Sequence, residues 1–219
     1  MGIKVIITGA TGMVGEGVLL ECLAHPHIEK VLMVNRKSFD LKHPKLNELL
    51  VADFFHLDQV TDKFDGYDAC FYCAGISAVG LTEKAYHHIT YDTTLHFAET
   101  LVNVNPAIVF GHISGHGTDS SEKGKIMWAR IKGKTENALM RLPFRHVYNF
   151  RPGMMKPTKG QRNIKPVFKF MASIYPLTSF LFPNISSTLK EVGLAMINSV
   201  LKGYPKQVLE VKDIKLLAK

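Results

Sequence analysis

The chain has 219 residues, 46% of them apolar and 21% charged, a balance that excludes a disordered or fibrous protein and is enough for one sizeable core. A formal net charge of +8 raises nucleic acid as a partner, but the lysines and arginines are dispersed and form no dense run interleaved with stacking aromatics. Nucleic acid is therefore set aside in favour of small anionic ligands.

The N-terminus carries no expected secretory leader, because Lys4 and Val5 lead straight into an apolar run, and Ile6 does not fit a myristoylation signal. Cys22, Cys70 and Cys73 lack disulfide spacing, and the last two sit in an apolar run, so they are expected to be reduced core thiols of a cytoplasmic protein. The sequon Asn184-Ile185-Ser186 is then idle.

The first element is a β-branched strand, Ile3 to Ile7, that empties into Thr8-Gly9-Ala10-Thr11-Gly12-Met13-Val14-Gly15 and an amphipathic stretch. A strand, a glycine turn and a helix in that order present backbone N–H groups to a phosphate. Gly9 takes the tight turn, Gly12 lets a pyrophosphate approach the backbone, and Gly15 lets the helix pack on the strand. Thr11, Met13 and Val14 complete the expected cradle.

Strands are expected near 3–8, 31–35, 49–52, 68–73, 106–112 and 145–150, with helices near 13–24, 81–103 and 122–141. This alternation predicts an α/β protein with a doubly wound parallel sheet, whose ligands sit at the carboxyl ends of the strands. The second strand ends in Asn35-Arg36-Lys37, where an NAD site places a carboxylate. Two cations there favour the 2′-phosphate of NADP, with NAD as the alternative. Asp53 ends the third strand as a candidate acceptor for the adenine amino group, with Phe54 beside the base, and Cys73-Ala74-Gly75 ends the fourth with small residues that allow close approach. The fifth ends in His112-Ile113-Ser114-Gly115-His116-Gly117, and the sixth in Arg151-Pro152-Gly153.

Together these stretches resemble the short-chain dehydrogenase/reductase superfamily, in its extended or atypical, NAD-dependent epimerase/dehydratase-like branch. The resemblance covers about residues 3–155. It implies a Rossmann fold, Thr8 to Gly15 as the dinucleotide turn, Cys73-Ala74-Gly75 beside the adenine ribose, and Pro152 and Gly153 bracketing the nicotinamide. Ser114 is similar to the superfamily's active-site serine, and Lys132, eighteen residues later, to its lysine, which also holds the nicotinamide ribose. The tyrosine expected four residues before that lysine is replaced by Trp128, and no tyrosine lies between Tyr91 and Tyr148. An indole N–H donates a hydrogen bond but exchanges no proton near neutrality. His116 is the nearest titratable substitute, with a loop histidine as the plain alternative.

His87 and His88 are adjacent on a helix and His112 and His116 have no ligand-spaced companions, so no metal site is expected; Ser114 also lies outside a G-x-S-x-G elbow. From residue 154 the text changes. Lys156, Lys159, Arg162, Lys165 and Lys169 alternate with Val167, Phe168, Phe170 and Met171, followed by Ile174, Tyr175, Leu177, Phe180, Leu181 and Phe182, with Pro166, Pro176 and Pro183 between them. A closing helix is expected around Val192 to Val200 and a last strand at Val208 to Val211. The expectation is thus one NAD(P)-binding Rossmann domain over 1–219, with 154–219 as a small, helical, substrate-side extension. The function expected is an NADP(H)-dependent oxidoreductase acting on a small carbonyl or alcohol. The alternative is a non-catalytic NADP(H)-binding sensor that engages a protein or membrane partner. Peripheral membrane contact and homo-oligomerisation stay open.

Overall fold

The computed structural model describes residues 2–164 and 175–219. Lys165, Pro166, Val167, Phe168, Lys169, Phe170, Met171 and Ile174, singled out above, lie outside the described residues.

The chain opens with β1 (Ile3–Thr8), α1 (Met13–Ala24), β2 (Ile28–Asn35), β3 (Leu46–Leu50), a 3₁₀ turn (Asp58–Phe64) and β4 (Ala69–Tyr72). A continuous helical run follows: α2 (Glu83–His87), a π segment (His88–Asp92) and α3 (Thr93–Val104). Then come β5 (Val109–Ile113), α4 (Met127–Leu139), β6 (His146–Arg151), β7 (Met154–Lys156), α5 (Tyr175–Leu181), β8 (Ser186–Thr188), α6 (Leu189–Leu201), β9 (Val208–Glu210) and α7 (Val211–Leu217). The main sheet has the order β3-β2-β1-β4-β5-β6-β9, and every neighbouring pair in it is parallel. This is the expected doubly wound α/β arrangement. The strand order reverses between β1 and β4, which is where such a sheet opens a crevice.

Period-two alternation distributes the strand residues over two cores. Val5, Ile7 and Phe71 face Val18, Leu19, Val192 and Met196 from α1 and α6. Ile6, Cys70, Tyr72 and Phe110 face Phe97, Leu101 and Leu139 from α3 and α4. Burying such side chains contributes about 1.5–3 kcal/mol each. Cys22 and Cys70 are buried free thiols, and burial raises both well above the ordinary thiol range.

Several boundaries differ from the sequence expectation: β2 begins at Ile28 instead of 31 and β5 at Val109 instead of 106, and three further differences have a visible cause. β3 occupies Leu46–Leu50 instead of 49–52, because it is the half-exposed edge strand and Val51 to Phe54 turn away from it. The helix expected from 122 starts at Met127. The Asp119 carboxylate gathers the amides of Ser121 and Gly124, at 3.0 and 2.7 Å, and Glu122 takes a left-handed φ of 61°, so this stretch is a turn. The run expected as one helix over 81–103 contains the π segment, which rotates the register of everything before α3. The extension adds a two-stranded sheet, β7 with β8, that the sequence reading lacked. No described helix is long and apolar enough to cross a membrane.

Candidate functional site

The glycine turn between β1 and α1 is built by close approach. Gly9 has φ +69°, and a Cβ there would stand 2.6 Å from the Ala74 amide nitrogen. Thr8 Oγ1 accepts from the amides of Cys73 and Ala74, at 3.2 Å each, which ties the ends of β1 and β4 together. The Gly12 amide donates to Gly9 O at 2.9 Å, and Gly12 caps α1 with no side chain in the way. A Cβ on Gly15 would collide with Gly9 O, so this glycine seats the helix on the turn itself. The first turn of α1 is thereby left open to an anion.

Beside this turn lies a cavity of about 830 Å³, at the carboxyl ends of β1, β2 and β4. Gly9, Thr11, Gly12, Asn35, Arg36, Lys37, Asp53, Phe54, Cys73, Ala74 and Gly75, all singled out in the sequence, line it. Two expected contacts fall elsewhere: Val14 packs against the α1–α6 core, and the Met13 carbonyl accepts from Gln161 Nε2 at 2.6 Å. The Phe54 ring is buried against Phe97 and Tyr72, with centroids 5.2 and 6.4 Å away. The aromatic stacked at the rim is Phe55, 5.1 Å from the His88 ring and 4° from parallel to it. Asp53 is half-exposed, and the Phe55 amide and His56 hold its carboxyl below the usual range. The sequence reading missed Phe55, His88 and Thr93; His88 enters the cavity wall through the π segment, which periodicity does not show.

The residues fit a dinucleotide. A Cβ on Gly12 would meet Gly9 O at 3.3 Å, so the cradle depends on bare backbone. Asn35, in the cavity wall, is 3% exposed, and neither its Oδ1 nor its Nδ2 has a partner among the described residues. A buried amide in that state costs about 1–3 kcal/mol per unmade bond, which a ribose hydroxyl, both donor and acceptor, removes.

A second group of side chains stands at the end of β5. Lys132 on α4 is partly buried, and its Nζ donates to the Ser114 carbonyl at 3.3 Å. Desolvation pulls its ammonium down to about 8, against the opposing field of Glu136 one turn along. Thr118 O–H donates to Gly115 O at 2.7 Å, so the 3.1 Å contact between Ser114 and Thr118 has Ser114 donating. Ser114 must turn its proton away from Thr118 to reach a substrate oxygen. Burial pushes His112 down to about 3, so it is neutral and donates from Nδ1 to Asn149 Oδ1 at 3.0 Å. Trp128 is half-buried, and its ring lies 3.5 Å from where a Cβ of Gly117 would be, with Gly117 at φ +82°. His116 donates its amide to Pro152 O at 3.0 Å, and its Nδ1 lies 3.5 Å from Glu210 Oε2. Gly153 is pinned against Ile185 O, where any Cβ would collide.

Arg151, at the end of β6, anchors this region. It donates from Nε and Nη2 to Glu136 at 2.9 and 2.5 Å, from Nη1 to Glu210 at 3.1 Å, and from Nη2 to Ser120 at 2.5 Å. Glu136 is fully buried. Its position four residues after Lys132 was the available signal for it, and the sequence reading passed over it. Among the described residues, no group of three His, Cys, Asp or Glu side chains is arranged to hold a metal ion.

Comparison with known proteins agrees with this geometry. The sequence profile described as the NAD dependent epimerase/dehydratase family matches residues 5–118, just over half of the chain. Protein HTATIP2 of Rattus norvegicus is 28% identical over 154 residues, 69% of this chain and 62% of the rat protein, so the match spans less than two thirds of that relative. Protein fmp52, mitochondrial, of Emericella nidulans is 24% identical over 217 residues, 94% of this chain and 90% of that protein. Among solved structures, the Bordetella bronchiseptica enzyme WbmF in complex with NAD+ superposes with a TM-score of 0.68 at 15% identity, covering 99% of this chain and 76% of that one. The Helicobacter pylori ADP-L-glycero-D-manno-heptose-6-epimerase gives 0.67 at 14% identity, covering 97% and 79%. At such identities these structures show the fold.

Proposed function

The chain belongs to the NAD dependent epimerase/dehydratase family, and from that premise we propose that it is an NADP(H)-binding oxidoreductase of the short-chain dehydrogenase type acting on a carbonyl or alcohol. The observation that carries the choice of cofactor is the end of β2, where a buried amide and two cations, Asn35, Arg36 and Lys37, line the cavity next to the glycine turn without a carboxylate among them. A carboxylate there would repel a 2′-phosphate, whereas Arg36 pairs with it.

The glycine turn and the first turn of α1 hold the pyrophosphate, and Asn35 holds the adenosine ribose. When bound, the nicotinamide supplies or takes up a hydride. Lys132 holds the second ribose, Ser114 orients the substrate oxygen, and Pro152 and Gly153 back the ring. His116 takes the part of the absent tyrosine. Trp128 is the one tryptophan in the chain and stands one helical turn before Lys132, which makes its emission the probe for cofactor binding. Titration is expected to quench that emission with NADPH at lower concentration than with NADH. Arg36→Ala should weaken NADPH about 10- to 100-fold, the worth of a charge-assisted bond, and leave NADH nearly unchanged. Failure of both cofactors to bind at high micromolar concentration would overturn the reading.

Trp128 favours a second reading, a cofactor-binding sensor without turnover. It predicts NADPH binding with no reduction across a panel of aldehydes and quinones, and no activity gained by Trp128→Tyr. Turnover abolished by Lys132→Ala excludes it.

A further inference from the structure

We propose that Glu210 is a positioning residue that holds His116 as the proton-exchanging group of this site, in the role left open by Trp128. The inference rests on the oxidoreductase reading above.

Among the described residues, three other titratable groups on this side of the sheet are committed. Burial pushes the Tyr72 hydroxyl far above neutrality, and His112 is a neutral core imidazole spent on Asn149. Lys132 is bonded to the Ser114 carbonyl. His116 differs from all three, because its side chain is 46% exposed and can reload its proton from water.

The sheet fixes where His116 and Glu210 stand. The amides of Ser114 and His116 donate to Phe150 O and Pro152 O at 2.8 and 3.0 Å, so the loop after β5 runs on alongside β6. On the other side of β6, Arg151 is in register with Glu210, the last residue of β9. The two residues therefore meet across the end of β6. Glu210 Oε1 takes Arg151, and Oε2 faces His116 Nδ1 at 3.5 Å, within ion-pair reach but short of a formed hydrogen bond, a contact of the kind that tightens when substrate binds. Glu136 lies between the cations of Arg151 and Lys132, whereas Glu210 faces Arg151 with one oxygen and His116 with the other. The next carboxylate, Asp213, is taken by Lys206 and Tyr204 at 2.7 and 2.9 Å.

A carboxylate at Nδ1 fixes the tautomer and leaves Nε2 to exchange protons. In the reducing direction, the His116 imidazolium gives its Nε2 proton to the carbonyl oxygen as the carbonyl carbon accepts hydride from NADPH. The products are the alcohol, NADP and neutral imidazole, and Glu210 keeps its charge throughout.

The test uses the full chain. Long-range ¹H–¹⁵N NMR at pH 8 is expected to show His116 as the Nδ1–H tautomer in the wild type and to lose that preference in Glu210→Met. NADPH-driven reduction of the aldehyde and quinone panel is expected to fall about 10²–10⁴-fold in kcat for His116→Gln, with NADPH affinity within twofold. Glu210→Met should fall in the same direction, and Glu210→Gln, which keeps an acceptor at Nδ1, should recover part of the rate. An unchanged tautomer in folded Glu210→Met, or wild-type turnover by His116→Gln, overturns the proposal; the second variant decides even where the first does not fold. Absence of turnover in an NADPH-binding wild type overturns the proton-exchange role and favours the sensor reading. Absence of NADPH binding overturns the oxidoreductase reading itself.

Discussion

Arg151 grips both carboxylate oxygens of Glu136 inside the protein, one helical turn beyond Lys132, with side-chain exposures of 9% and 0%. The placement of α4, and with it Lys132, depends on that pair. Breaking it from one side strands a buried charge, so Arg151→Met should cost about 3–5 kcal/mol in urea unfolding. The double change Arg151→Met with Glu136→Leu should recover much of this loss, since the fully buried carboxylate goes with its partner and Glu210 is 38% exposed to water.

Gly9 and Gly75 both line the cofactor cavity, yet they differ in what surrounds them. Gly9→Ala requires a left-handed alanine pressed on the Ala74 backbone, so it should lower stability by more than about 2 kcal/mol and abolish NADPH quenching of Trp128. Gly75 has open space where a Cβ would go, and Gly75→Ala should stay within about 0.5 kcal/mol of the wild type. Thermal melts and the same titration read both.

His112 makes the fold acid-sensitive. Its folded-state value of about 3 lies below the ordinary 6.5, so between those limits the unfolded chain binds the extra proton. Stability is fully present above pH 6.5 and falls as pH drops toward 3, by at most about 5 kcal/mol from this group. His112→Gln should flatten the dependence of unfolding free energy on pH over that range.

Lys132 acts in the alkaline window. Its value of about 8 in the fold, against 10.5, means that the unfolded chain holds more protons between those limits, so stability should rise with pH across them. Lys132→Met should remove the rise and leave the protein more stable at pH 7, by up to about 3 kcal/mol, while cofactor affinity falls. Urea titrations at pH 7 and pH 10 check both.

The doubly wound parallel class was legible from the alternation of strands and helices, and the glycine turn and most of the cavity wall were legible because each depends on residues within a few positions: Gly9 on its own φ, and Arg36 on the end of its own strand. What was not legible is held by distant partners. Arg151 meets Glu136 and Glu210 across 15 and 59 positions, and no local pattern announces which carboxylates a strand-end arginine will find. Phe54 and Phe55 are neighbours of like chemistry, and only packing decides which of them enters the core. The early end of β3 and the late start of α4 follow from an exposed edge and from the Asp119 turn, where side-chain hydrogen bonds override helix propensity.

Glu16, in the first turn of α1, is buried, and its two oxygens accept the amides of Arg162 and Asn163 at 2.5 and 2.8 Å, across 146 and 147 positions of chain. A chain made from its N-terminus therefore completes the glycine turn and helix long before it makes the donors that this carboxylate needs. Until residue 163 has been synthesised and docked, helix α1 can be buried only with Glu16 unpaired. The cofactor seat, first in the order of synthesis, is among the last parts of the fold to mature.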